Sequence, residues 1–229
     1  MIFTSFESLV AHAKAHVRAR RVVVAAAQDE HTLEAVMKVR AEGIVVPVLV
    51  GDKAKIQEIL AKMGESVPEE DLYDAPEFAE AAALSVRLVR EGKAHFIMKG
   101  KLDTSGILRA VVNKEHGLGQ GRTMSHMAIN QIPAYHKLLI TTDGGMLLAP
   151  TLEQKKDVIL NAVEALRALG YEEPKVGVLA AAEKVNPKSV DSTDAAALKE
   201  MWQAGQLPSC IVEGPISFGL AMVKERAIT

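Results

Sequence analysis

The chain has 229 residues, 48% of them hydrophobic and 24% charged, with a formal net charge of −2. That length suits one large domain or two small ones around a sizeable core, and the near-neutral balance gives no electrostatic reason to expect a nucleic-acid partner. No apolar run nears the roughly 20 residues that span a bilayer, the start lacks the basic and apolar regions of a secretory leader, and the single cysteine, Cys210, excludes an internal disulfide and fits a reducing, cytoplasmic setting.

From the start of the chain, strand-like and helix-like stretches alternate. Thr4 with Glu7 suits a capping box for a first helix ending near Arg18. Val22–Ala27 is a continuous apolar run, followed by a helical pattern from Thr32 to Glu42 that Gly43 stops. Ile44–Val50 reads as the next strand, ahead of a helix over Lys53–Met63. A polar stretch with Pro68 and Pro76 leads to a long helix over Glu77–Glu91. Ala94–Met98 then reads as a buried strand. A helix from Thr104 to about Glu115 follows, and Gly117, Gly119 and Gly121 form a flexible link between two expected domains, residues 1–121 and 122–229.

The second half repeats the pattern. Lys137–Thr142 reads as a strand ending in Asp143, Gly144 and Gly145. Thr151 with Gln154 caps a helix whose apolar positions Leu152, Ile159, Ala162, Leu166 and Leu169 share one face, and Gly170 stops it. Val176–Ala181 is a strand, Thr193–Gln203 a helix and Cys210–Glu213 a last strand. Uninterrupted apolar strands separated by helices predict an α/β fold with parallel sheets covered on both faces. Ligands in such folds bind beyond the carboxyl ends of the strands. The loops after Ala27, Val50, Met98, Thr142, Ala181 and Glu213 are therefore the ones to search.

One of those loops carries most of the chemistry. After Met98 come Lys99, Gly100 and Lys101, then Thr104 and Ser105 where a helix begins, with Arg109 one turn inside. Such a junction gathers free backbone N–H groups, the positive end of a helix dipole, two hydroxyls and a guanidinium, the parts needed to hold a phosphate or acyl phosphate. The same residues also suit an ordinary strand–helix junction with a threonine cap and a surface arginine. Residue types do not choose between those readings.

Other chemistries find less support. Gly117, Gly119 and Gly121 resemble a dinucleotide loop, but they follow a helix and the third glycine comes too early. No lysine loop of the nucleotide-phosphate kind is present. His12 and His16 share a helix face without an acidic partner, which reads as a solvated face and not a metal site. His126, in the stretch Arg122 to His126, is either a donor beside an expected cleft or a structural histidine. Cys210 sits in an apolar stretch with Ile211 and Val212 and reads as core, not as a nucleophile.

Several of these stretches together resemble a known family. The run from Lys99 through Thr104 and Ser105 to Arg109, the run Arg122 to Ser125 and His126, and the run Ile140 through Asp143, Gly144, Gly145 and Met146 to Pro150, Thr151 and Lys155 look like successive motifs of the phosphate acetyl/butyryltransferases. Val185 to Lys188, Asp194 to Leu198 and Glu213 to Ile216 continue them in order. The likeness spans nearly the whole chain and favours the butyryltransferase branch, particularly through Arg122–His126 and Asp143–Gln154.

The resemblance implies reversible acyl transfer between coenzyme A and inorganic phosphate, by direct attack of the CoA thiolate on the carbonyl of an acyl phosphate. It implies a two-lobed fold of the isocitrate/isopropylmalate dehydrogenase type and a homodimer associating through the second half, where the stretches Cys210–Phe218 and Leu220–Val223 are expected to be exposed. The cleft would be lined by Arg122, Asp143, Gly144 and Gly145. Lys99, Gly100, Thr104, Ser105 and Arg109 would hold the phosphoryl group, and Arg109, Ser125 and His126 would serve catalysis. No metal and no permanently bound cofactor are implied; coenzyme A enters as a substrate. Two departures stand out. Family members continue past the position of Thr229 with a segment that returns to the first domain, and Gly219 stands where the family usually has Asp. The alternatives are a non-catalytic remnant that binds CoA or phosphate, and a metal-dependent dehydrogenase of the 4-phosphohydroxythreonine type on the same fold.

Overall fold

Valine-rich runs organise the first half. In the computed structural model, which describes residues 2–16 and 19–222, strand β1 (Arg20–Ala25) lies between β2 (Val45–Gly51) and β4 (Phe96–Lys99), with the short β3 (Leu72–Asp74) beyond β2. All three pairings are parallel, with Val23 opposite Val48 and Ile97. Successive side chains of a strand point to opposite faces. Val23, Ala25, Val48 and Val50 therefore pack on one side against Ala81, Ala82 and Leu88 of α4 (Phe78–Arg90) and Ile107 of α5 (Thr104–Val111). Val22, Val24 and Leu49 pack on the other side against Leu33, Val36 and Met37 of α2 (Glu30–Ala41) and Ile56 and Leu60 of α3 (Lys53–Met63). Each fully buried valine or leucine contributes about 1.5–3 kcal/mol. Helix α1 (Phe6–His16) buries none of its residues; the expected end near Arg18 lies outside the described residues.

Caps set the helix limits. Asp29 accepts the Thr32 N–H at 3.1 Å to open α2, and Asp52 accepts that of Lys55 at 3.1 Å to open α3. Gly64, at φ +70°, closes α3 in the left-handed conformation that glycine tolerates.

Three expectations for this half need correction. The polar stretch between Pro68 and Pro76 is not all loop: it holds a 3-10 turn at Glu69–Asp71 and then β3. The strand expected to be buried over Ala94–Met98 is the outer strand β4, paired only to β1 in this sheet, so Phe96 is 44% exposed. The helix expected to reach Glu115 ends at Val111. There the Asn113 Oδ1 accepts the N–H groups of Glu115 and His116, offering the backbone an alternative to the helix.

The chain divides into two compact units: one is Glu7–Gly121, and the other comprises the described residues up to Phe6 together with those from Arg122 on. The opening residues join the second unit by specific bonds: Phe3 N–H donates to Tyr171 Oη at 3.1 Å, Leu138 N–H donates to Phe3 O at 2.9 Å, and Phe6 N–H to Gln131 Oε1 at 2.7 Å.

In the second unit, β7 (Lys175–Leu179) and β8 (Ile211–Ile216) are parallel and pack on α6 (Leu152–Ala168) and α7 (Val190–Gln203) through Ile159, Val163, Leu198, Leu207, Cys210 and Val212. Thr151 and Gln154 form the expected capping box on α6. Cys210 is core: burial pushes its thiol pKa up, and its carbonyl accepts the Trp202 indole N–H at 2.7 Å. The second half is not uniformly parallel, however. A strand that the sequence did not suggest, β5 (Met127–Asn130), forms an antiparallel ribbon with β6 (Leu139–Thr142). Nor is the stretch Cys210–Phe218 an open apolar surface. Cys210 and Val212 are buried within the unit, and only Phe218, which begins the short α8 (Phe218–Met222), is 56% exposed. Val223 lies outside the described residues.

Candidate functional site

On the first unit, the candidate residues surround the junction from β4 to α5. Gly100 N–H donates to Ala25 O at 2.8 Å and Lys101 N–H to Ala26 O at 3.0 Å, so the loop continues alongside the end of β1. A Cβ on Gly100 would stand 2.2 Å from Ala26 O and 2.8 Å from Ala25 O, so the backbone approach admits only glycine. The Lys99 ammonium folds back and donates to Leu102 O at 2.9 Å and Gly100 O at 3.3 Å. Two of its three donors thus support the loop. Asp103 occupies the N-cap position without a side-chain cap bond, and Thr104 and Ser105 are the first residues of α5.

Ser105 and Arg109 lie four residues apart and so share a helix face. That face opens on a hollow of about 510 Å³ between α4 and α5, lined by Phe78, Ala82, Leu102, Ser105, Arg109 and Asn113. Among the described residues, none hydrogen-bonds or ion-pairs with the Arg109 guanidinium or with the Thr104 and Ser105 hydroxyls. Five guanidinium donors and two hydroxyls at a helix start can together bind an anion with several oxygens.

On the second unit, the candidates are held between the β5–β6 ribbon and α6. Asp143, just after β6, accepts the His126 N–H at 2.7 Å through Oδ1 and the Leu147 N–H at 2.6 Å through Oδ2. Thr142 Oγ1 donates to His126 O at 2.7 Å. A Cβ on Gly144 would stand 2.9 Å from His126 Nδ1, so the imidazole lies close against that glycine. Gly145 adopts φ +102°, a conformation strained for other residues. His126 itself is exposed and Ser125 half-buried.

Three residues of α6 that sequence reasoning missed anchor this segment. Asp157 Oδ2 accepts the Thr123 N–H at 2.9 Å, which holds the Asp157 carboxyl below the usual aspartate range. Asn161 Nδ2 donates to both Thr123 O and Ser125 Oγ at 2.9 Å. Glu164 pairs with Arg122 at 2.9 Å, lowering the carboxyl and raising the guanidinium pKa. Arg122, expected to line a cleft, is thereby engaged with α6 through Glu164 and Asn161. The available signal was the polar spacing 157, 161, 164, on the helix face away from the buried Val158, Ile159, Ala162 and Val163.

Among the described residues, no group of three or more His, Cys, Asp or Glu side chains could hold a metal ion, and no helix is long and apolar enough to cross a membrane.

Comparison with known proteins gives these arrangements a context. Residues 74–229 match the family model described as Phosphate acetyl/butaryl transferase. A phosphate butyryltransferase of Clostridium acetobutylicum is 39% identical over 223 residues, which is 97% of this chain and 74% of that relative. A phosphate acetyltransferase of Thermotoga maritima is 37% identical over 210 residues, 92% of this chain and 71% of that protein. Among solved structures, a branched-chain phosphotransacylase from Enterococcus faecalis V583 superposes with a TM-score of 0.73 at 28% identity, covering 91% of this chain and 72% of its own.

Proposed function

The chain belongs to the phosphate acetyl/butyryl transferase family, and on that premise we propose that it transfers a short-chain acyl group reversibly between coenzyme A and inorganic phosphate. In the direction of thioester synthesis, the CoA thiolate attacks the carbonyl carbon of an acyl phosphate. A C–S bond forms, the C–O bond to phosphate breaks, and the electron pair leaves with the phosphate anion. Such a step needs two substrates held in reacting geometry and stabilisation of the oxyanion that develops on the carbonyl.

In this reading Arg109, Thr104 and Ser105 bind the phosphoryl group, while Lys99 and Gly100 shape the loop beneath it. Ser125 and His126 donate to the acyl carbonyl oxygen, and Asp143, Gly144 and Gly145 hold that donor segment in shape. The observation that carries the reading on the structural side is the Arg109 guanidinium, left without a partner one turn from two unbonded hydroxyls, in a chain otherwise rich in ion pairs. The same reading extends to a fold of the isocitrate/isopropylmalate dehydrogenase type, a cytoplasmic setting and a homodimer. Exposed apolar residues of the second unit, Leu148 at 99%, Val190 at 68% and Phe218 at 56%, support self-association. Light scattering at micromolar concentration is expected to give the mass of two chains; the mass of one would rule out the dimer.

The activity is tested by following free thiol from butyryl-CoA as phosphate is added. Release that needs both substrates supports the proposal. CoA binding by calorimetry without phosphate-dependent release would instead mark a non-catalytic binding protein, the reading that Gly219 favours.

A further inference from the structure

We propose that Asn161 is a positioning residue that leaves the Ser125 hydroxyl proton free to point at the acyl carbonyl oxygen, an inference that rests on the acyl-transfer reading above. The argument begins with the orientation of the Asn161 carboxamide. Thr123 O can only accept, so the atom facing it at 2.9 Å must be the amide nitrogen. Arg122 can only donate, so the atom its Nη1 faces at 3.2 Å must be the amide oxygen. Both neighbours demand the same orientation, and no flipped alternative satisfies either.

The second amide hydrogen then has one destination, Ser125 Oγ at 2.9 Å. Ser125 is therefore an acceptor in that bond, and its own O–H is not consumed by it. Among the described residues no acceptor takes that proton. A serine hydroxyl left alone samples several staggered positions; the bond from Asn161 occupies one side of the oxygen and restricts where the proton points. The clamp is itself held: Arg122 is fixed by Glu164 at 2.9 Å, and Thr123 N–H by Asp157 at 2.9 Å. One face of α6 thus sets the direction of a donor that it does not itself bring to the substrate, in the way a supporting shell preorganises a site.

The test is a double-mutant cycle on the full chain, with Asn161→Leu, Ser125→Ala and the double variant assayed with butyryl-CoA and phosphate. Ser125→Ala is expected to lower kcat about 100- to 1000-fold and Asn161→Leu by a smaller factor, each with KM for butyryl-CoA within about two-fold. The double variant is expected to be no slower than Ser125→Ala. Asn161→Asp keeps the shape and the Arg122 contact but can donate to neither Ser125 nor Thr123 O, so it should match Asn161→Leu in kcat. An Asn161 change that still lowers kcat in the Ser125→Ala background, or Asn161→Asp with wild-type kcat, would overturn the inference while leaving acyl transfer intact. A wild-type chain without phosphate-dependent turnover would refute the acyl-transfer reading itself. The same cycle would then be read on the Kd for butyryl phosphate: non-additive losses support the positioning role, and additive losses or no binding overturn it.

Discussion

The carboxylate of Asp143 joins two segments at once, taking the His126 N–H at 2.7 Å on one oxygen and the Leu147 N–H at 2.6 Å on the other. It therefore fixes the entry to β5 against the loop that leaves β6. Hydrogen bonds to a charged acceptor contribute about 1.5–3 kcal/mol each, and two such bonds at a half-exposed site do not add fully. Asp143→Ala is expected to lower stability by about 2 kcal/mol in urea unfolding followed by circular dichroism. A change below about 0.5 kcal/mol, the range of ordinary surface substitutions, would show that the carboxylate is not holding the two segments.

Two glycines of the β4–α5 junction should respond in opposite directions. At Gly100 a methyl group would collide with the carbonyls of Ala26 and Ala25 at 2.2 and 2.8 Å, and backbone cannot swing aside as a side chain can. Gly100→Ala is expected to destabilise by about 1–3 kcal/mol. Gly106 lies within α5, where an added Cβ meets nothing within 4 Å. Gly106→Ala should stabilise by about 0.5–1 kcal/mol. Equal urea midpoints for the two variants would contradict this account of the junction.

Acid should weaken the fold through its carboxylate caps. Asp29 is held below the ordinary aspartate value of 3.8 by bonds from Thr32, Asp52 by Lys55, and Asp157 by the Thr123 N–H. Because the folded pKa is the lower one, the unfolded chain binds more protons as pH falls, and stability drops with it. Their contribution is complete above the unfolded value and is lost as pH falls through the folded one. The urea midpoint should fall progressively below about pH 4. Asp157→Asn, which removes one of the titrating groups, should make that fall shallower. An unchanged slope in that variant would show that the α6 carboxylate does not take part.

How far the sequence disclosed this depends on how local each signal is. Helix α3 was legible near Lys53–Met63, where the structure has it, because its caps, Asp52 and Gly64, are local to the segment itself. Strands β3 and β5 were not: three and four residues long, with polar neighbours, they are defined by pairing to β2 and β6 and not by any pattern of their own. At the site, the start of α5 with Ser105 and Arg109 on one face followed from spacing. That the Lys99 ammonium turns back onto the Gly100 and Leu102 carbonyls did not, since a residue type does not reveal what a flexible side chain reaches. The α6 clamp was missed for a related reason: its bonds link residues 34 to 42 positions apart, and helical periodicity was read only for the apolar face.

Arg109 separates a functional junction from an ordinary one. Its guanidinium is exposed and has no partner among the described residues, so removing it should leave the urea midpoint within about 0.5 kcal/mol of wild type. Arg109→Ala is nevertheless expected to lower kcat/KM about 100- to 1000-fold, the usual loss for one charge-stabilising donor. Arg109→Lys, which keeps the charge but not the planar fork, should fall between. A change of less than a few-fold in Arg109→Ala would make it a surface arginine.

The central claim is that phosphate is the acyl acceptor, and phosphorus NMR of butyryl-CoA and inorganic phosphate incubated with the protein tests it most directly. The account predicts an acyl phosphate resonance that grows in step with free thiol and reverts to phosphate and thioester when excess CoA is added. Thiol release with no phosphorus species other than phosphate and CoA would mean transfer to water, and would contradict it.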